Sequence, residues 1–263
     1  MENHFTINKT LWNTRTPIHA ASDFYALADF KAGMSSLNEV ELGELGNVKG
    51  KSMLHLQCHF GMDSLSWARE GARVTGVDFS ETAIALAQTL SDELNLEVRF
   101  LAANVYDMKN QLYEQFDIVF TSYGVLCWLP DLEKWAETVA HFLKPGGTFL
   151  IVEFHPLASM IDFNTLEIKY SYFNDHAVVE VPQGTYADPE ATIGLEEHTW
   201  NHSLDEILGA LQAHRIHIAS FREYPYSAYN CFPGLTQDAR GRWRLAGSKL
   251  QLPLMFSVKG IKI

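Results

Sequence analysis

The sequence is poor in several things that whole classes of function require. It has three cysteines in 263 residues, Cys58, Cys127 and Cys231. They are odd in number and widely spaced, so neither a disulfide framework nor a zinc set is expected, and reduced thiols of a cytoplasmic protein fit better. Basic residues are scarce: 20 Lys and Arg stand against 32 Asp and Glu, giving a formal charge of −12 and a pI near 5.3. No basic cluster offsets this. An acidic surface repels phosphate backbones, which argues against nucleic acid as a partner. No apolar run approaches the ~18 residues of a membrane span, so no membrane partner is expected. The opening "MENHFTINKT" has no apolar h-region, so no signal peptide is indicated. Also missing is the G-x-G-x-x-G loop that a nicotinamide oxidoreductase uses to bring backbone N–H groups to a pyrophosphate.

What is present suits a soluble globular chain, 47% hydrophobic and 20% charged, with one large domain or one domain plus a lid. From Ser52 to about Ile151, apolar strands alternate with amphipathic helices. The strands read as "SMLHLQ", "RVTGVDF", "LEVRFL", "FDIVFTSY" and "TFLIVEF". Ser80 and Asp131 stand where helix N-caps belong, and "KPGG" reads as a helix stop. Such alternation predicts an α/β fold, a mostly parallel sheet with helices on both faces. After His155 the pattern changes. "NTLEIKYSYF" and "AVVEVPQGTY" flank Asn174–His176 and read as an inserted hairpin. Ser203 and Glu206 form a capping-box pattern that opens another helix. "RIHIASFREY" and "LPLMFSVKGI" follow with a loop-like segment and no clear helix between them, so they are expected to pair antiparallel. The first 50 residues are aromatic-rich without strand alternation and read as helical or irregular cover over the sheet's edge.

In open α/β sheets, ligands bind beyond the C-terminal ends of the central strands. "LQCHFG" lies beyond the first strand. Asp78 and Phe79 lie beyond the second, with Asp78 17 residues after Gly61. An acid there can accept both ribose hydroxyls; its alternative role as a helix cap is already filled by Ser80. Beyond the third strand, Asn104 can bond an adenine edge and Val105 can pack on its face, although a turn with a helix cap explains them as well. "SYGVLCW" beyond the fourth strand combines Ser122, Tyr123, Gly124 and Trp128.

Taken in order, "VTGVDFS", "ANVYDM", "FDIVFTSYGVLCWLPD" and "LKPGGTFLIVEF" over residues 50–263 resemble the class I S-adenosylmethionine-dependent methyltransferases. The resemblance implies a Rossmann-like sheet of seven strands, six parallel and the last antiparallel. It implies S-adenosyl-L-methionine as cofactor, with Asp78 on the ribose, Asn104 on the adenine amino group and the backbone from Ser122 to Gly124 on the methionine part. It implies a methyltransferase domain over residues 51–263. Residues 1–50 would cover the cofactor site and bring His19 and Tyr25 to the methionine end. An insertion over about 156–200 would form part of the substrate site.

The first-strand loop departs from the family's pattern of an acid and three glycines. His55 stands in place of the acid, Gln57 and His59 in place of two glycines, and Gly61 alone remains. Since S-adenosylmethionine carries no phosphate, Gln57 and His59 are expected to bind its zwitterionic end by side chain, alternating along an extended chain with Leu56 and Cys58. A solvent-facing loop histidine is the other reading of His59. His55 reads as a buried strand histidine. A catalytically silent, cofactor-binding or regulatory copy of the fold is the alternative that the missing glycines leave open.

The expected reaction is in-line methyl transfer to an O or N nucleophile of a small-molecule acceptor. Such transfer needs alignment, exclusion of water and, for some acceptors, a base near neutrality. Candidates are Trp128, Glu153, His155, His198, Trp200, His202, Tyr226 and Asn230. His155 and His202 are the candidate bases. Trp128, Trp200, Tyr226 and Asn230, together with Phe232, are the expected pocket walls. His198 and His202 precede their helix, which puts them roughly 13 Å apart in extended chain, too far for one metal, so no metal site is expected.

Overall fold

The computed structural model describes residues 2–246 and 251–263; Met1 of the N-terminal cover and positions 247–250 of the late loop lie outside the described residues. Seven strands form one sheet: β1 (Ser52–Leu56), β2 (Arg73–Asp78), β3 (Arg99–Ala102), β4 (Phe116–Ser122), β5 (Leu143–Phe154), β6 (Ile216–Tyr224) and β7 (Met255–Lys262). Their order across the sheet is β6-β7-β5-β4-β1-β2-β3. The pairs β1–β2, β1–β4, β2–β3 and β4–β5 are parallel, and β7 runs antiparallel to both β5 and β6. Six strands therefore point one way and the last points back, as the resemblance implies.

Side chains alternate between two cores because successive strand residues face opposite sides. On β4, Ile118 and Phe120 face one core while Val119 faces the other. The first face is covered by α3 (Glu39–Leu45), α4 (Met62–Arg69) and α5 (Glu81–Glu93), through residues such as Val40, Trp67 and Leu90. The second is covered by α6 (Leu132–Phe142) and α7 (Leu204–Ala213), through Trp135, Val139, Ile207 and Leu211. Sheet and helices thus bury apolar surface on both sides, which is what a parallel sheet requires. Ser80, Asp131 and Ser203 each accept a backbone N–H three residues on, from Ala83, Lys134 and Glu206. The three expected N-caps are therefore made.

Three local expectations change. "KPGG" does not follow the helix as a loop: α6 ends at Phe142, because Leu143 already pairs with Phe116 of β4. The register then shifts before Ile118 meets Thr148, so Pro145-Gly146-Gly147 forms an irregularity inside β5. The expected hairpin around Asn174–His176 resolves into two others. Ile161–Asp162 pairs with Glu167–Ile168, and Val178–Glu180 pairs with Glu197–Thr199. The latter partner lies too far along the chain for a local turn signal to reveal. The loop before β7 carries a further hairpin, Leu235–Gln237 with Trp243–Leu245.

The N-terminal segment forms α1 (Glu2–Ala21) and α2 (Leu27–Lys31) ahead of α3. It does not lie along the sheet's edge. Helix α1 spans the C-terminal ends of the strands, from the start of α5 to the inserted strand Glu197–Thr199. Its inward face sets polar side chains beside Leu11 and Trp12. Asn8 bonds both backbone groups of His198 (2.7 and 2.9 Å), Arg15 meets Glu197 at 2.7 Å, and the Ser80 hydroxyl donates to Asn13 at 2.6 Å. These bonds let a helix with little apolar surface dock firmly.

Candidate functional site

A cavity of about 530 Å³ opens beyond the C-terminal ends of β1, β2, β3 and β4 and is roofed by the N-terminal segment. That volume suits one nucleoside-sized ligand and a small partner. Among the described residues its lining includes Asp63 and Asp78 but no lysine or arginine.

The loop after β1 shapes one wall. Gln57, His59 and Gly61 all take positive φ, at +55°, +51° and +80°. The loop is therefore not the extended chain expected; left-handed residues alternate with ordinary ones. Gly61 needs to be glycine on a second count, since a Cβ there would come within 2.6 Å of the Phe100 ring. Gln57 and His59 each bear about 1 kcal/mol or more of strain that glycine would avoid, so their side chains must repay it. The Gln57 amide donates to the Val125 carbonyl at 2.9 Å, which leaves its Oε1 buried without a partner. The Tyr25 hydroxyl lies 3.3 Å from His59 Nδ1, and His59 Nε2 is also buried and unpartnered. Burial, helped by His19, holds the His59 imidazole well below its ordinary pKa and hence neutral.

Asp78 ends β2 with 8% of its surface exposed, accepting N–H donors from His59 and Ser80, both at 2.9 Å. Burial raises its carboxyl to about 6, against those donors, which lower it. Each oxygen keeps a lone pair for a further donor. Asn104 accepts the Tyr106 N–H at 3.1 Å through Oδ1, so its amide N–H₂ remains available to donate. Phe79, Val105 and Met108 line the cavity beside it.

Beyond β4, Tyr123 also takes a left-handed φ, +47°. Glu153 of β5 fixes the turn that follows by accepting the N–H groups of Gly124, Val125 and Leu126. Glu153 therefore organises the wall without lining it. The Tyr123 hydroxyl donates to Glu41 Oε2 at 2.8 Å. Glu41 sits on α3, fully buried, with Oε1 accepting the Asn38 N–H at 2.6 Å in a capping box. Burial and then the charge of Asp63 raise Glu41 to about 7. Asn38 also donates to the Tyr229 hydroxyl at 3.0 Å, and the Tyr229 ring stands edge-on to Tyr123.

Of the expected cofactor residues, Tyr25, Gln57, His59, Gly61, Asp78, Phe79, Asn104, Val105, Ser122 and Tyr123 line this one cavity. His19 lies just behind its wall, against Trp12, Tyr25, His59 and Tyr186. Of the expected substrate residues, Trp128 lines it, edge-on to Trp12. Trp200, Tyr226 and Asn230 do not. Trp200 is buried with its backbone N–H on the Cys127 carbonyl, Tyr226 bonds Glu39 and is flanked by Arg242 and Arg244, and Asn230 is exposed.

The two candidate bases are also elsewhere. His155 caps the turn Pro156–Ser159 through Nδ1 and meets Glu223 through Nε2 at 2.9 Å. His202 meets the Leu129 carbonyl at 2.7 Å and Glu206 at 2.9 Å. Both ring nitrogens of His155 are engaged, His202 is held through Nε2 by the Leu129 carbonyl, and neither residue lines the cavity. His198 is likewise buried, bonded to Glu196 at 2.7 Å. Among the described residues no group of three metal-ligating side chains exists. Sequence reasoning missed Trp12, Phe24, Asp63, Tyr186, Tyr229 and Cys231 on the lining and Glu41 behind it. One signal was available: Asn38 and Glu41 are spaced as a capping box.

Residues 54–149 match the family model described as a methyltransferase domain. The chain is 25% identical over 169 residues to a ubiquinone biosynthesis O-methyltransferase of Alkalilimnicola ehrlichii, covering 64% of this chain and 65% of that protein. It is 32% identical over 155 residues to the protein of the same name in Cronobacter sakazakii, covering 57% and 60%. The chain thus spans less than two thirds of these curated relatives. Among solved structures it resembles an S-adenosylmethionine-dependent methyltransferase from Clostridium acetobutylicum, with a TM-score of 0.58 at 14% identity over 97% of this chain and 98% of that one. Likeness at that identity shows a shared fold. No helix among the described residues is long and apolar enough to cross a membrane.

Proposed function

On a chain that carries a methyltransferase domain within the class I S-adenosylmethionine-dependent methyltransferase fold, we propose that the cavity binds S-adenosylmethionine and a small-molecule acceptor and moves a methyl group between them. The observation that carries this is the convergence of Asp78, Asn104, Gln57, His59 and Tyr123 on one cavity whose described lining holds no lysine or arginine. A phosphate-bearing cofactor would leave its charge unmatched there. The unpartnered Gln57 Oε1 and His59 Nε2 fit an amino-acid end instead. When bound, S-adenosylmethionine supplies a methyl group on a sulfonium sulfur to an in-line nucleophile.

The chain's own residues do the rest. Asp78 accepts the ribose hydroxyls. The Asn104 amide donates to a ring nitrogen of adenine, since its oxygen is committed to Tyr106, and Phe79, Val105 and Met108 pack on the base. Trp12, Tyr25 and Trp128 line the cavity with aromatic rings and, with Tyr186 from the insertion, exclude water. The proton of an acceptor hydroxyl passes to the Tyr123 oxygen as the Tyr123 proton passes to Glu41 Oε2. This pair takes the role first expected of His155 and His202. The curated relatives are O-methyltransferases, which favours an oxygen nucleophile. An acidic surface and three free cysteines fit a small-molecule acceptor in the cytoplasm.

The test is calorimetric titration with S-adenosylhomocysteine, followed by transfer of a labelled methyl group to a panel of phenols and amines. One equivalent bound, with transfer to a member of the panel, is expected. No heat with either cofactor form refutes the function, and binding with no transfer to any acceptor favours a silent binding protein.

A further inference from the structure

The amino-acid end of S-adenosylmethionine carries an ammonium and a carboxylate, which need opposite partners. The β1 position that the resemblance gives to an acid is His55. Burial lowers its imidazole to about 3, so it is neutral and cannot balance an ammonium. His55 is 2% exposed and lines the cavity; its Nδ1 lies 2.8 Å from Ser64 Oγ and its Nε2 has no partner. A Ser64 hydroxyl that donates to Nδ1 leaves Nε2 carrying a proton, a donor suited to an anion.

Among the described lining residues the acids are Asp63 and Asp78. Asp78 belongs to the ribose. Asp63 lies in the first turn of α4, two residues beyond Gly61, beside the loop that holds Gln57 and His59. Its oxygens accept the hydroxyls of Ser36 at 2.6 Å and Ser122 at 3.0 Å. Among the described residues no lysine or arginine forms an ion pair with it, and burial raises its pKa. A buried carboxylate without a cation is costly to the empty protein, and lone pairs remain on both oxygens.

We propose that Asp63 supplies the carboxylate that binds the α-ammonium group of the methionine moiety, since the β1 position that the resemblance gives to an acid holds the neutral His55. This rests on the cavity's being an S-adenosylmethionine site. The Gln57 Oε1 acceptor then supports Asp63 at the ammonium, while the Nε2 donors of His55 and His59 serve the carboxylate. The site has exchanged a strand acid and glycine backbone for a helix acid and side chains.

The test compares S-adenosylhomocysteine with 5′-methylthioadenosine, which lacks the amino-acid end, by calorimetry on the full chain. Asp63→Asn should weaken S-adenosylhomocysteine about 10- to 100-fold and leave methylthioadenosine within about twofold. Its ligand-free Tm should not fall, because an uncompensated charge has been removed. Unchanged affinity for S-adenosylhomocysteine, or equal loss for both ligands, overturns the proposal. A second measurement needs no variant: wild-type protein should bind the deamino analogue of S-adenosylhomocysteine more weakly by a similar factor, and equal binding overturns the proposal. A wild-type protein that binds neither S-adenosylhomocysteine nor methylthioadenosine removes the cofactor site itself.

Discussion

The end of the cavity at Asp78 and Asn104 is built from strand ends and helix caps, whereas the end at Gln57, His59 and Tyr123 is built from strained loops, a cover helix and an insertion. At the first end, each side chain follows from its place in the sheet. Asp78 closes β2, and Ser80 caps the next helix two residues on. At the second, three non-glycine residues sit at positive φ and are held by groups distant in sequence: Val125 for Gln57, Tyr25 for His59, Glu41 for Tyr123. Strain of this kind persists only where surrounding structure imposes it, and it concentrates at functional sites. The comparison separates the part of the cavity that the fold itself positions from the part that belongs to this chain.

The largest effect is expected at the fold-positioned end. Asp78→Ala should weaken S-adenosylhomocysteine roughly 100- to 1000-fold, since two hydrogen bonds to a charged group are lost; titration calorimetry reads this directly. The wild-type affinity should also fall as pH drops through about 6, where the Asp78 carboxylate takes up its proton. Asp78→Asn should bind more weakly and lose the part of that dependence that Asp78 contributes, leaving the part that Asp63 contributes.

The chain-specific end should respond through stability. Glu41 binds its proton more tightly folded than unfolded, because burial raises it from 4.5 to about 7. Stability therefore falls as pH rises through that window, and the cost is fully present above it. Glu41→Gln should raise stability by up to about 3 kcal/mol at pH 8 and by little at pH 4.5, as thermal unfolding at the two pH values would show. A lower Tm at pH 8 would mean that the capping box outweighs the buried charge.

The smallest effect sharpens the boundary of the site. Asn230→Ala, at an exposed position outside the lining, should change S-adenosylhomocysteine affinity by less than about twofold.

The same division explains what the sequence reveals. Strand order, the helices on both faces, the caps at Ser80, Asp131 and Ser203, and the placement of Asp78, Asn104 and Val105 rest on local periodicity and on rules about strand ends. Those rules need no distant partner. The acceptor end does not obey them. Glu41 and Tyr229 reach it from segments 82 residues before and 106 residues after Tyr123. His155 and His202 look like bases because histidine titrates near neutrality, but His155 Nδ1 serves the turn after β5 and His202 Nε2 the Leu129 carbonyl beyond β4. Nothing in the local sequence marks a histidine as already committed. The aromatics Trp200 and Tyr226 lie off the lining for the same reason: a buried ring beside a cavity and a ring inside it have the same local pattern.

The central claim is that side chains, rather than glycine backbone, hold the methionine end of the cofactor. The most direct measurement is the affinity of Gln57→Ala and His59→Ala for S-adenosylhomocysteine, with 5′-methylthioadenosine as reference. Each variant should bind S-adenosylhomocysteine about tenfold more weakly and methylthioadenosine as the wild type does. Wild-type affinity for S-adenosylhomocysteine in both variants would contradict the account and leave the loop acting through its backbone and Gly61 alone.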